Sequence, residues 1–152
     1  MKRICLAVTF GTVVLLGDLT GRAQSTKASV VVYKDPTCGC CALWVDHLKQ
    51  NGFDTKVIET ADVNEIKMKH HVPRQARSCH TGVVNGYAIE GHVPAADIQR
   101  LLKARPAVAG LAVPGMPIGS PGMEVPGRKM QPFDVLAFEK NGQTRVFASH
   151  GK

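Results

Sequence analysis

The strongest constraint on the fold is a group of cysteines at the junction between a predicted strand and a predicted helix. The β-branched run Val30-Val31-Val32-Tyr33 predicts a buried strand, and Asp35-Pro36-Thr37 after it is typical of a turn. The segment from Cys41 to Asn51 carries apolar residues at helical spacing and is followed by Gly52, a residue common just past a helix end. The motif Cys38-Gly39-Cys40-Cys41, called the CxCC motif below, therefore lies where strand becomes helix.

The signals that follow predict an α/β fold. The predicted elements after the first helix are a strand at 53–58, a helix that begins after Asp62 and is ended by Pro73, strands at 81–84 and 87–90 joined by Asn85-Gly86, and a helix that Pro94 opens and that closes before Pro106. The order from about residue 29 to residue 105 is β-α-β-α-β-β-α, which is the thioredoxin topology.

The rest of the chain predicts an extension of that core. Residues 107–131 are rich in Gly and Pro and are expected to form a loop, which holds Met116 and Met123. The segments 133–138 and 144–148, joined by Asn141-Gly142, predict a final hairpin. We expect one thioredoxin-like metal-binding domain at 29–152, with a core at 29–105 and a C-terminal extension at 106–152.

The first 23 residues are typical of a cleavable export signal. Lys2 and Arg3 precede a mostly apolar stretch from Ile4 to Leu16, and Ala23 is a small residue of the kind found at cleavage sites. The apolar stretch is shorter than the roughly 20 residues that a spanning helix needs, although a retained membrane anchor is the alternative. We expect a periplasmic protein without a stable membrane span after cleavage.

The charge of the chain argues against a nucleic-acid partner. The formal net charge is +7, and aromatic residues make up only 5% of the sequence. The basic residues are scattered and form no block of the kind that contacts a phosphate backbone. We therefore expect no nucleic acid among the partners.

The CxCC motif predicts soft-metal chemistry. A helix N-terminus lowers the pKa of a thiol there, which favours both a nucleophile and a metal ligand. Cys38 and Cys41 keep the C-x-x-C spacing of thiol–disulfide oxidoreductases, but Cys40 would compete as a disulfide partner. Three sulfurs within four residues suit Cu(I), and bridging thiolates permit a polynuclear copper site.

A fourth cysteine is expected to face this motif. Cys79 precedes the third strand, and in thioredoxin-like folds the loop there faces the C-x-x-C turn. The cis-proline usual at that place is absent, since no proline lies between Pro73 and Thr81. His80, Met116 and Met123 are further candidate ligands. His47 is expected to be exposed and His92 to contact the start of the third helix.

Several motifs in order resemble one family. They are the CxCC motif, Ser78-Cys79-His80-Thr81, the run from Gly86 to Pro94, the run from Gly110 to Pro117, and the run from Gly119 to Glu124. The chain is similar in these to the CopG-like family of exported, CxCC-containing proteins associated with copper resistance. The resemblance implies a thioredoxin-like fold, cysteine-bound copper and a redox role.

The favoured hypothesis is an exported Cu(I)-binding protein of copper homeostasis whose ligands form the cysteine cluster, defined as Cys38, Cys40, Cys41 and Cys79. A periplasmic copper donor, acceptor or efflux protein would be its partner. The sequence leaves open whether the protein is an enzyme, either a copper-based oxidoreductase or a thiol–disulfide oxidoreductase with Cys38 as nucleophile and Cys41 as resolving thiol. A third alternative is a protein-docking module with structural disulfides, and zinc ranks below copper as the metal.

Overall fold

The computed structural model describes residues 27–152, so the predicted export signal at 1–23 lies outside the described residues. The elements are β1 (Ser29–Lys34), α1 (Gly39–Gln50), β2 (Asp54–Glu59), α2 (Val63–Lys69), β3 (Thr81–Val84), β4 (Tyr87–Glu90), α3 (Ala95–Ala104), β5 (Gly110–Ala112), β6 (Phe133–Phe138) and β7 (Thr144–His150). A short 3₁₀ helix at Arg74–Ala76 lies between α2 and β3. Within residues 27–152, no helix has the length and apolarity needed to cross a membrane.

All seven strands belong to one mixed sheet in the order β2-β1-β3-β4-β5-β6-β7. β1 pairs in parallel with β2, and β4 pairs in parallel with β5, whereas the other neighbours are antiparallel. The mixed α/β class and the order of elements from β1 to α3 are confirmed. The strands of the predicted C-terminal extension continue the same sheet.

The β3–β4 hairpin fixes the register on which the site depends. Asn85 and Gly86 both have positive φ, 47° and 84°, as a two-residue turn between twisted strands requires. The turn pairs Val84 with Tyr87 and, at the other end of the hairpin, Thr81 with Glu90. The residues before β3 and after β4 therefore lie side by side.

Helices α1 and α3 pack through a shared apolar core. Trp44 and Ile98 are fully buried in one cluster with residues of β1 and β4. The Trp44 indole Nε1 also donates a hydrogen bond to the Val93 carbonyl (2.9 Å), just before α3. The expectation of an exposed His47 is wrong, because its Nε2 accepts the Ala95 N–H (3.0 Å) at the start of α3.

Three other elements differ from their predicted boundaries by two residues or more. α1 begins at Gly39 rather than Cys41, which puts Cys40 and Cys41 in its first turn. α2 ends at Lys69, four residues before Pro73, and β7 continues to His150 rather than stopping at Ala148. Asp62 does cap α2, since its carboxylate accepts the Glu65 N–H at 3.1 Å.

The expectation of an unbroken loop over 107–131 is wrong, because β5 lies within it. This three-residue strand pairs with β4 on one side and with β6 on the other. Gly110 lies so close to the Ala88 carbonyl that a Cβ there would clash with the backbone. A strand this short is held by pairing with distant segments, which local sequence signals do not reveal.

Candidate metal centre

The CxCC motif begins at a turn that is held by its own side chains. Asp35 accepts hydrogen bonds from the backbone N–H (2.8 Å) and hydroxyl (2.6 Å) of Thr37, and its carbonyl accepts the Cys38 N–H (3.1 Å). Cys38 is the extended N-cap residue of α1, with φ −76° and ψ 94°. Its sulfur forms a disulfide with Cys41, whereas Cys40 keeps a free thiol.

Cys79 reaches this turn because β3 pairs with β1. Tyr33 near the end of β1 is paired with Thr81 at the start of β3. The residues that follow β1 and those that precede β3 therefore lie next to each other at the same end of the sheet. The Sγ atoms of the cysteine cluster all lie within 4.8 Å of one another. The structure thus brings together all four cysteines that the sequence singled out.

Two histidines flank the Cys79 sulfur. Its Sγ lies 3.2 Å from His80 Nδ1 and 3.3 Å from His92 Nε2, and the side chains of both histidines are fully buried. His92 Nδ1 lies 2.9 Å from the Pro121 carbonyl. Because a carbonyl can only accept, Nδ1 carries the proton and Nε2 presents its lone pair to Cys79.

The other nitrogen of His80 has no hydrogen-bond partner. Nε2 is buried and unpaired among the described residues, while the ring packs against Trp44 with 4.4 Å between centroids. His92 meets the same ring edge to face at 5.0 Å. A buried polar atom without a partner is uncommon, and binding of an ion or water is among its explanations.

The electrostatics keep both histidines neutral and Cys79 protonated when no metal is bound. Burial, followed by the electrostatic interaction with neighbouring Cys40, raises the pKa of the Cys79 thiol to about 11. Burial, with further contributions from His92 and Lys67, holds the pKa of His80 well below its usual range. Burial also lowers the pKa of His92. Neutral imidazole is the form that binds metals.

The Gly/Pro loop packs on the start of α1 through Gly122. Gly122 has φ +83°, and a Cβ there would lie 2.7 Å from the backbone nitrogen of Trp44 and 3.0 Å from the carbonyl oxygen of Cys40. Met123 follows this contact and is half-buried. Met116 is 52% exposed and follows Gly115, whose carbonyl accepts a hydrogen bond from the Ser78 hydroxyl.

His92 is the site residue that sequence reasoning ranked too low. The expectation for His92 is a contact with the start of α3. The register of the β3–β4 hairpin instead predicts that His92 lies near Cys79. Because Asn85-Gly86 pairs Thr81 with Glu90, two more steps along each strand bring Cys79 opposite His92. The structure has this arrangement.

Comparison with known proteins places the chain in a family. Two solved structures titled "Copper resistance protein copG", Form 2 and Form 1, match it with a TM-score of 0.78 each. The first is 43% identical and covers 82% of this chain and 99% of its own. The second is 42% identical and covers 84% of this chain and 100% of its own. Residues 76–123 match the family described as "Protein of unknown function, DUF411", and no curated protein matches the chain.

The fold and the site define a mixed α/β protein with a candidate cysteine metal centre at the start of its first helix. The extent of the match to the two solved structures makes the relationship specific: the chain belongs to the CopG family of copper resistance proteins.

Proposed function

We propose that this protein binds copper as Cu(I) through the cysteine cluster and acts in copper homeostasis. The observation that carries the proposal is the convergence of four sulfur atoms, from the start of α1 and from the residue two before β3, within 4.8 Å of one another. Thiolate sulfur is a soft ligand and favours Cu(I) over harder ions. The titles of the two similar structures agree with this choice of metal.

The donors available around the cluster support more than one copper ion. A thiolate can bridge two ions, and the neutral imidazoles of His80 and His92 lie within 3.3 Å of the Cys79 sulfur. Met116 and Met123 belong to the loop over α1 and could add thioether sulfur, which needs no deprotonation. The unpaired Nε2 of His80 fits a role as a donor.

Binding by all four sulfurs requires reduction of the Cys38–Cys41 disulfide. Two electrons and two protons convert the bridge into two thiols, and the thiols lose their protons when they bind a metal. Copper loading is therefore coupled to the redox state of the chain. We propose an exported protein that exchanges copper with a periplasmic donor, acceptor or efflux protein.

The second candidate function is thiol–disulfide exchange, which the Cys38–Cys41 disulfide at the α1 N-terminus favours. A substrate thiolate would attack the bridge, form a mixed disulfide with Cys38 and release the Cys41 thiolate. A second substrate thiol would then displace Cys38 and leave the substrate oxidised and the protein reduced.

Cysteine variants separate the two functions. Reduced protein is titrated with Cu(I) without oxygen and read by native mass spectrometry, and dithiol exchange is assayed in parallel. Copper binding predicts that Cys40→Ser lowers the number of bound ions while leaving the Cys38–Cys41 disulfide able to form. Leu43→Ser is the matched control, because Leu43 is on α1 but 57% exposed.

A thiol–disulfide oxidoreductase predicts a different effect of the cysteine variants on exchange activity. Cys40→Ser would keep exchange activity and Cys38→Ser would abolish it. Reduced wild-type protein that binds no Cu(I) would overturn the proposed function.

A further inference from the structure

A buried ion pair lies behind the Cys79 segment. Lys67 on α2 and Glu90 at the end of β4 meet with 2.6 Å between Nζ and Oε1, and their side chains are 4% and 0% exposed. Replacing such a pair with apolar residues is often neutral or stabilising, because burying two charges costs about as much as their attraction returns. A contribution to the free energy of folding therefore does not by itself explain why this ion pair is present.

The Glu90 carboxylate binds both ends of the segment that carries Cys79. Its Oε1 accepts the Ser78 backbone N–H at 2.6 Å, and its Oε2 accepts the Thr81 hydroxyl at 2.7 Å. Lys67 Nζ also donates to the Thr81 hydroxyl oxygen at 3.2 Å. Cys79 and His80 thus lie between two points that are attached to one buried carboxylate.

The Ser78 N–H depends on this carboxylate. Ser78 precedes β3 and has no partner in the strand ladder, so Glu90 supplies the acceptor that a strand neighbour supplies elsewhere. Lys67 Nζ donates to Oε1 of this carboxylate at 2.6 Å, while the two carboxylate oxygens accept the Ser78 N–H and the Thr81 hydroxyl. A hydrogen bond from a backbone group one residue before Cys79 limits the positions that its sulfur can take.

We propose that Lys67 and Glu90 are positioning residues that fix the Cys79 sulfur against Cys40 and the rest of the cysteine cluster. The role of the pair rests on the proposed function, since its purpose is to bring the fourth sulfur to shared copper ions. Neither residue belongs to the groups of side chains that could hold a metal ion. Their effect passes through the Ser78 N–H and the Thr81 hydroxyl.

Two double variants separate positioning from a general contribution to folding. Lys67→Met with Glu90→Gln removes both charges but keeps a side-chain oxygen for the Ser78 N–H and an amide that can donate to Thr81. Lys67→Met with Glu90→Leu also removes both charges but leaves the Ser78 N–H without an acceptor. Both variants avoid an unpaired buried charge, and circular dichroism and thermal unfolding establish that they fold.

The first readout needs no copper. The free thiols of Cys40 and Cys79 are oxidised with diamide, which accepts the two electrons and two protons released when their disulfide forms, and the bridge is quantified by peptide mass spectrometry. Misplacing a reacting atom by about 1 Å can slow a reaction roughly 100-fold. We expect the Leu-containing variant to cross-link about 10- to 100-fold more slowly and the Gln-containing variant to cross-link close to the wild-type rate.

Copper affinity is the second readout, measured by competition with a chromophoric Cu(I) chelator. We expect a loss of about 10- to 100-fold in the Leu-containing variant, the size typical for residues that orient a metal ligand, and near-wild-type affinity in the Gln-containing one. If the variants follow the cross-linking pattern but wild-type protein binds no copper, the positioning role stands and the proposed function fails.

Equal cross-linking in the two double variants, whether fast or slow, would overturn the positioning role. If the Leu-containing variant does not fold, hydrogen exchange in wild-type protein decides the matter. The Ser78 amide must then exchange as slowly as the amides of β3, and rapid exchange would overturn the role.

Discussion

At the scale of single residues, the surroundings of Cys79 keep its thiol protonated until a metal ion binds. Burial and the neighbouring Cys40 raise its pKa to about 11, from an ordinary value of 9.0. At neutral pH the metal-free protein therefore holds Cys79 as a thiol between the nitrogens of His80 and His92. A metal ion is coordinated by the thiolate form of cysteine, so metal binding must release this proton.

This environment predicts a pH dependence of copper affinity. Because the proton is bound at every pH below the raised pKa, affinity increases as pH rises toward 11, by about tenfold per pH unit for each proton released. Proton release on Cu(I) binding is measured with an indicator dye in weak buffer. We expect wild-type protein to release about one proton more than Cys79→Ser, and equal release by the two proteins would contradict the assignment of Cys79 as a ligand.

The residues of the cysteine cluster could be found from the sequence because soft-metal chemistry requires a particular residue type. Four cysteines in two short segments indicate either a metal site or disulfides, and the predicted thioredoxin topology makes the two segments face each other. The buried Lys67–Glu90 pair could not be found in this way. Lys67 belongs to a stretch with other basic residues, and only packing of α2 against the sheet shows that its ammonium is buried.

At the scale of elements, the loop between β5 and β6 is as much a part of the site as α1. It supplies the Pro121 carbonyl that fixes the tautomer of His92, and Gly122 lets it lie directly on the first turns of α1. There is no space for a side chain at Gly122, since its Cβ would lie 2.7 Å from the backbone nitrogen of Trp44. The position of this loop therefore depends on one glycine.

Gly122→Ala tests this contact, with Gly127→Ala as the matched control. Both glycines have positive φ, 83° and 76°, but a Cβ at Gly127 would meet nothing within 4 Å. We expect Gly122→Ala to lower the free energy of unfolding by about 1–3 kcal/mol more than the control does, the usual cost of overpacking. Urea unfolding measures the difference, and copper affinity should fall in Gly122→Ala alone. Equal effects of the two substitutions would show that the loop does not rest on α1.

Elements with strong local signals were predictable and those held by distant pairing were not. Asn85-Gly86 and Asn141-Gly142 mark the turns of two hairpins that the structure contains. β5 has three residues in a segment rich in Gly and Pro, and its neighbours β4 and β6 come from before and after it in the chain. Local composition there favours a loop, and tertiary pairing overrides that preference.

At the scale of the whole molecule, the sheet joins the predicted core to the predicted C-terminal extension. Leu111, Val113, Phe133 and Val135 from the extension belong to the same buried cluster as residues of β1 and α1. Burial of each such side chain contributes roughly 1.5–3 kcal/mol. Their combined loss is comparable with the roughly 5–15 kcal/mol that stabilises a typical domain.

A chain that ends at Arg105 is therefore expected not to fold. It would keep the cysteine cluster but expose the edge of β4 and the apolar faces that β5 and β6 cover. We expect no cooperative thermal transition by circular dichroism, in contrast to the full chain. A truncated protein that unfolds cooperatively and binds Cu(I) like the full chain would contradict the role given to the extension.

The proposed copper site requires that sulfur atoms from α1 and from Cys79 bind the same copper ions. X-ray absorption at the copper edge tests it most directly, on reduced protein loaded with Cu(I) without oxygen and on the matched Cys79→Ser variant. We expect Cu(I) whose first coordination shell consists mainly of sulfur, and fewer sulfur atoms per copper in the variant. A first shell made only of nitrogen and oxygen, or a sulfur count that Cys79→Ser leaves unchanged, would contradict it.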